Sequence, residues 1–327
     1  MSDPTPPLSS TYEFSPPIEV VVVKPPPPRY WLHALLLLAT FFTTLVVGAG
    51  MQFCFQNDLP LFSADESAYI PFFPIGWILS QPSRLLLGLP FSLSVLLILM
   101  SHEMGHYVYC LRNRVSATLP YFIPVPTPIG TMGAFILIRS RIRSRMALFD
   151  IGIAGPIAGF IVAVVALFLG LALSRPLPIG PIEVQFGLPM IFSLAQHAIA
   201  AVASDPVHHL PVSSLSLHPI AIAAWVGMFA TSLNLLPGGQ LDGGHITYAV
   251  APRLHRYSSV LAFGILLPLG FLWAGWWLFG TFLLITGWRH PQVPQWPGLD
   301  SKRRWLAVLA LVMFLLTVTA VPIVIRQ

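Results

Sequence analysis

Residues 85–110 run through apolar side chains, interrupted by only three that are charged or carry an imidazole: His102, Glu103 and His106. The run is long enough to cross a bilayer, which takes about 20 residues as a helix. Two imidazoles and a carboxylate are costly in hydrocarbon, and they persist there where they pair, line water or bind a metal. They stand in Leu99-Met-Ser-His-Glu-Met-Gly-His-Tyr107, an H-E-x-x-H pattern. On a helix His102 and His106 are one turn apart and leave the same face. Two neutral imidazoles so placed suit Zn²⁺, and Glu103, about 100° round the helix, can take a proton from a water on that ion. In a soluble chain so short a pattern weighs evenly between metal and chance. In a membrane span a purely structural helix would carry Leu or Ala, so the setting favours a metal.

Composition agrees with the membrane reading. Of 327 residues, 55% are hydrophobic and 9% charged, with mean hydropathy +0.77; soluble domains carry about 25% charged residues. The net charge of +5 is spread over short loops, where it sets orientation and gives no nucleic-acid surface. The two cysteines, Cys54 and Cys110, form neither a C-x-x-C pair nor a disulfide framework, so a bound zinc would rest on His and carboxylate.

In chain order, residues 1–28 form a Pro-rich cytoplasmic tail expected to be disordered, with a short β-branched run at 18–23 and no Arg of the kind a transit peptide carries. Residues 29–84 are a first span, about 31–50, retained as an anchor, and an external loop holding Asp58, Asp65 and Glu66. Residues 85–250 form the catalytic core and 251–327 a helical hairpin and final span. The 85–110 span runs inward to Arg112 and Arg114. Residues 118–138 are apolar, yet their prolines and glycines forbid a continuous helix. Such backbone survives at membrane depth only when shielded by protein or a water-filled cavity. A re-entrant β-hairpin with one free strand edge, near Phe135, Ile136, Leu137 and Ile138, is the expected form. Arg139, Arg141, Arg143 and Arg145 then mark the cytoplasmic side, with Asp150 assigned to this arginine row.

A third span, 147–173, offers Gly152, Gly155 and Gly159 for close helix contact. The external loop 175–217 includes a candidate amphipathic helix at 189–204, and its His208 and His209 read as a solvated loop. A fourth span starts at His218 or Pro219 and breaks at Asn234-Leu-Leu-Pro-Gly-Gly-Gln-Leu-Asp-Gly-Gly-His245. Residues 258–288 read as a hairpin of two short helices bent near 268–275, which keeps the basic residues at 289–304 inside. The last span is 305–323. The expected fold is thus an all-α polytopic membrane protein of about six spans, with a re-entrant β-hairpin and a broken helix at the metal site.

A catalytic zinc takes three protein ligands and keeps one position open. Downstream of the His pair there are five carboxylates: Asp150, Glu183, Asp205, Asp242 and Asp300. Glu183 and Asp205 fall outside, Asp300 lies among basic residues, and Asp150 belongs to the arginine row. Asp242 alone lies at membrane depth on the correct side, with no cation near it, and it is favoured over His245 as third ligand. Asn234 either caps the broken helix or donates a hydrogen bond to a developing oxyanion.

These residues resemble the site-2 protease family of intramembrane zinc metalloproteases. The likeness covers about residues 85–250: His102-Glu-Met-Gly-His106, the Gly155-Pro156 pair, and Asn234-x-x-Pro237-x-x-x-Leu241-Asp242-Gly243. It implies His102, His106 and Asp242 as zinc ligands, Glu103 as catalytic base and Asn234 as a substrate or oxyanion contact. The segment 124–138, with Gly130 and Gly133, is similar to the hairpin that in this family holds the substrate as an added strand. The loop 175–217 is too short for the PDZ domain of some relatives. The implied substrates are transmembrane proteins cut within or near a membrane helix, in regulated intramembrane proteolysis. The expected setting is a bacterial inner membrane with the site towards the cytoplasm, in contact with lipid and without direct nucleic-acid binding. The rival readings are a prenyl-endopeptidase type, which needs a downstream Glu, and a non-proteolytic metal-binding or transport protein.

Overall fold

The computed structural model describes residues 29–59, 61, 71, 73–177, 184–286, 291–294 and 298–325. The Pro-rich tail with its 18–23 run, Asp65 and Glu66, Glu183 and residues 289–290 lie outside them.

The chain is mostly helical, and among the described residues three helices are long and apolar enough to cross a membrane: Tyr30–Gln56, Pro82–Arg112 and Arg145–Ala172. The chain is an integral membrane protein. The first helix, α1 (Tyr30–Gln56), continues past the expected end near residue 50. After the short α2 (Ile75–Ser80), a 3₁₀ turn at Pro82–Gly88 leads into α3 (Leu89–Arg112), with Pro90 in the first turn, where a missing N–H is harmless. Strands β1 (Tyr121–Pro124) and β2 (Thr131–Phe135) pair antiparallel, Tyr121 opposite Phe135, with an irregular register between Phe122 and Pro124. The hairpin runs on beyond the two strands: Thr118 N–H donates to Leu137 O and Arg139 N–H to Ser116 O.

Ser144 caps α4 (Arg145–Ala172), its Oγ accepting from Ala147 N at 3.1 Å. On the far side of α4, β3 (Arg175–Pro176), β4 (Val184–Phe186), α5 (Met190–Ala200) and β5 (Leu215–Ser216) fill the loop, α5 lying within the amphipathic stretch expected there. The short helix α6 (Pro219–Asn234) and α7 (Asp242–Val250) flank the glycine-rich break, in place of one continuous span. Then come α8 (Pro252–Leu269) and α9 (Gly275–Thr286), two helices joined at residues 270–274. Helix α10 (Ser301–Thr317) ends six residues before the expected limit, and β6 (Ile323–Ile325) returns to pair with β4.

Helices α1, α3, α4 and α6 enclose the main core, closed by Phe91, Val95, Leu167, Ile222 and Met228. One expectation is corrected here. Asp150 does not pair with the arginine row. Its carboxylate takes a two-pronged hydrogen bond from Arg303 of α10, at 2.8 and 2.6 Å, and Arg145 donates instead to the carbonyls of Ala249 and Val250 at the end of α7. Arg303 lies 153 residues from Asp150 in sequence, so charge spacing along the chain gave no sign of the pair.

Candidate metal centre

Helical spacing puts His102 and His106 on one face of α3, and both are buried, at 7% and 6% exposure. Their Nε2 atoms are 3.1 Å apart. Asp242, the first residue of α7, brings Oδ2 to 3.3 Å from His102 Nε2 and 3.2 Å from His106 Nε2. Tetrahedral bonds of about 2.0–2.1 Å place ligand atoms roughly 3.3–3.4 Å apart, so the three donors fit the corners around a single zinc ion. Among the described residues this is the one group of three or more His, Cys, Asp or Glu side chains close enough to share an ion.

The imidazoles are held by α4. Ile151 O lies 2.7 Å from His106 Nδ1. A carbonyl only accepts, so Nδ1 carries the proton and Nε2 keeps its lone pair for the metal side. A Cβ on Gly155 would overlap the His106 ring, and one on Gly159 would come to 3.0 Å from His102 Cβ. The Gly155-Pro156 region thus serves less as a general helix contact than as the seat of the two rings. Gly105 lets the helices close up, since a Cβ there would meet Ala154 O at 2.5 Å.

Asn234 is the last residue of α6, and its Nδ2 lies 3.2 Å from His102 Nε2. Of the two roles open from the sequence, the amide thus faces the donor set and not the helix end. His245, the rival ligand, is not a member of this group of three, and it packs against α4, where a Cβ on Gly152 would be 3.1 Å from its own Cβ.

Glu103, 6% exposed, has the backbone N–H of Ile136 beside its carboxylate. Leu137 and Arg139 bond inward to the strand at 116–118, so alternation turns the backbone groups of Ile136 to the opposite edge. That edge of the hairpin faces Glu103. Phe135, Leu137 and Ile138 beside it are exposed. Gly130 and Gly133 sit farther back: Gly130 lies in the turn, buried against α1, where Thr43 Oγ donates to its carbonyl at 2.6 Å, and Gly133 is in β2 with φ of 97°.

Sequence reasoning missed His255. It is 2% exposed and bonded to Gly239 in the turn before Asp242. Flanked in sequence by Arg253, Arg256 and two serines, it reads as a residue of a solvated helix end and gives no local signal of that role.

Fold and site together define a helical integral membrane protein carrying a two-histidine, one-carboxylate metal centre with a glutamate beside it. The model for "Peptidase family M50" matches residues 90–273, more than half of the chain, and the chain belongs to that family, the site-2 protease family of zinc metalloproteases. It is similar to "Probable zinc metalloprotease EGY1, chloroplastic" of Oryza sativa subsp. japonica, 29% identical over 72% of this chain and 41% of the relative. The protein of the same name from Arabidopsis thaliana is 29% identical over 72% of this chain and 43% of its own length. "Probable zinc metalloprotease EGY2, chloroplastic" of Arabidopsis thaliana is 29% identical over 72% and 42%. The chain spans about two fifths of the length of these curated relatives. Zinc is the metal that the family and the donor set share.

Proposed function

We propose that this chain is an intramembrane zinc metalloprotease that hydrolyses peptide bonds within or near the transmembrane helices of other proteins, with residues 85–250 as its catalytic core. One observation carries the reading: three donor atoms 3.1–3.3 Å apart stand next to Glu103, whose carboxylate lies beside the backbone of the hairpin at Ile136. His102, His106 and Asp242 would hold the ion. Bound there, zinc supplies Lewis acidity, which polarises a carbonyl and makes a water easier to deprotonate.

The chain's own residues do the rest. A helical carbonyl is shielded and already hydrogen-bonded, so the substrate has to unwind before attack. The outer edge at Phe135, Ile136, Leu137 and Ile138 holds the unwound segment by main-chain hydrogen bonds, with Gly130 and Gly133 shaping the hairpin behind it. Glu103 takes a proton from the attacking water as its oxygen bonds the scissile carbon. It returns that proton to the amide nitrogen as the C–N bond breaks. With the His102 lone pair committed to a metal, the Asn234 amide is released to donate to the substrate oxygen that gains charge.

In this proposal about six membrane segments, one of them the α8–α9 hairpin that enters and leaves on the same side, put the β1–β2 hairpin on the cytoplasmic side of a bacterial inner membrane, although the relatives named above are chloroplastic. The exposed Arg112, Arg114, Arg139, Arg141 and Arg143 gather at that end, as the positive-inside bias asks. Pairing of β4 with β6 supports an external C-terminus, because it joins the last strand to the loop after α4. Regulated release of a membrane-anchored substrate is the proposed use.

The test is cleavage of a transmembrane-helix reporter by the purified chain and by Glu103→Gln. Cleavage should fall about 10²–10⁴-fold with zinc content unchanged. Activity surviving the change would remove Glu103 as the base, and a chain that binds zinc but cuts no membrane helix would favour the carrier reading.

A further inference from the structure

We infer that His255 and Ser259 of α8 are positioning residues for the metal centre, acting through the backbone of Gly239. Neither touches a metal donor. Both are 2% exposed. His255 Nε2 lies 3.0 Å from Gly239 O, and since the carbonyl can only accept, that nitrogen donates. The N–H of the same residue donates to Ser259 Oγ at 3.1 Å, and Ser259 Oγ–H donates in turn to His255 O at 2.8 Å. One residue of the turn is therefore held at its donor and its acceptor by one face of one helix.

The place of this grip gives it consequence. Asn234 and Asp242 end the stretch that breaks α6 from α7, and Gly239 lies three residues before Asp242. Gly239 has φ of 59°, a left-handed conformation that turns the chain sharply. A loop of this composition has little stiffness of its own, and with the two peptide units that flank the Gly239 Cα both hydrogen-bonded, the φ and ψ of that residue are no longer free. The direction in which the chain enters Asp242 is thus set from α8. The rest of the neighbourhood fits closely: a Cβ on Gly238 would stand 3.2 Å from Ser259 Cα, and one on Gly244 would be 2.5 Å from Gly239 O. Tyr248 of α7 packs its ring against that of His255, centroids 5.7 Å apart. A buried imidazole is expensive in such a helix unless it has a task. Here the task is to hold the third ligand's loop in register with α3.

The inference rests on Asp242 serving as a metal ligand. It is tested in the purified full chain by zinc affinity, measured in competition with a chromophoric chelator, and by the visible absorption of the Co²⁺-loaded protein, which reports the number and kind of donors. His255→Ala should bind zinc on the order of tenfold more weakly, as removal of outer partners of metal ligands does. Its cobalt bands should lose intensity or shift as the carboxylate leaves. His255→Gln, whose amide can donate to the same carbonyl, should recover most of both signals, and Ser259→Ala should show a smaller loss in the same direction. Unchanged affinity and unchanged cobalt bands in both alanine variants, even with a lower thermal midpoint, would reduce the contact to a helix staple and overturn the inference. If His255→Ala does not fold, Ser259→Ala decides by the same two signals. A native chain that binds no zinc sinks the metal reading itself; a native chain that binds zinc normally beside indifferent variants sinks only the role given to α8.

Discussion

His102 and His106 owe their mutual position to one turn of α3, whereas Asp242 owes its position to contacts from several other elements. The helix supplies the first geometry by itself, because i and i+4 side chains overlie one another whatever surrounds them. Nothing local supplies the second. The stretch between Asn234 and Asp242 holds Pro237, Gly238 and Gly239, and it is shaped by α8 at Gly239 and by α4 through Arg145 at the far end of α7. One half of the centre is a property of a sequence pattern; the other is a property of the assembled fold.

The largest effect should ignore this difference. Removing any one donor, by His106→Ala or by Asp242→Ala, leaves two ligands where a catalytic zinc takes three, and neither variant should retain zinc through gel filtration. Metal analysis of both checks this; retention in Asp242→Ala alone would show that the carboxylate is not a ligand. Next comes Gly155→Ala, which drives a methyl into the His106 imidazole. A displacement of about 1 Å at a reacting centre can cost 10²-fold in rate, and reporter cleavage should fall by that order while the helical signal in circular dichroism stays as it was.

Gly239→Ala separates the halves. It places a side chain at φ of 59°, at a cost of roughly 1–2 kcal/mol. The strain falls on the loop, so zinc binding should weaken, while Leu97→Ala on the exposed side of α3 should leave it unchanged. Equal losses in the two would break the comparison. The smallest effect concerns the outer end of α6. His218 caps that helix by accepting from Ile220 N–H at 3.2 Å, which requires an unprotonated Nδ1, and burial, aided by the Arg175 charge, pushes its imidazole down to about 4. An unfolded histidine titrates near 6.5, so the unfolded chain takes up the proton first. The cap's contribution is complete above pH 6.5 and is lost as pH falls through the interval to about 4. The thermal midpoint of the native chain, compared with His218→Asn, which caps without titrating, should decline over that interval and match the variant's pH dependence above it.

The same contrast explains what the sequence made legible. The His pair and Glu103 could be read directly, because helical periodicity is local and a charged triplet in an apolar run stands out. Asp242 was reached by excluding four other carboxylates, an argument from topology that says nothing of how the loop is held. The partner of Asp150, the carbonyl of Ile151 that fixes the His106 proton, and the grip of His255 on Gly239 were out of reach. Each joins segments whose proximity exists only after packing, and backbone groups leave no trace in residue identity. Gly155 and Gly159 were visible as small residues, but small side chains suit any close helix crossing, and only the structure shows rings seated over them.

The hairpin hangs from α1 at both of its ends: Thr43 Oγ donates to Gly130 O, and His33 Nδ1 lies 3.0 Å from Pro120 O with its ring 4.1 Å from that of Tyr121. Tyr121 in turn stacks on Phe135, 5.5 Å away. A helix that contributes no metal donor is thereby the bracket of the hairpin that the proposed mechanism offers to an incoming chain. On that proposal, a bilayer thin or thick enough to change the lean of α1 would displace this shelf relative to Glu103.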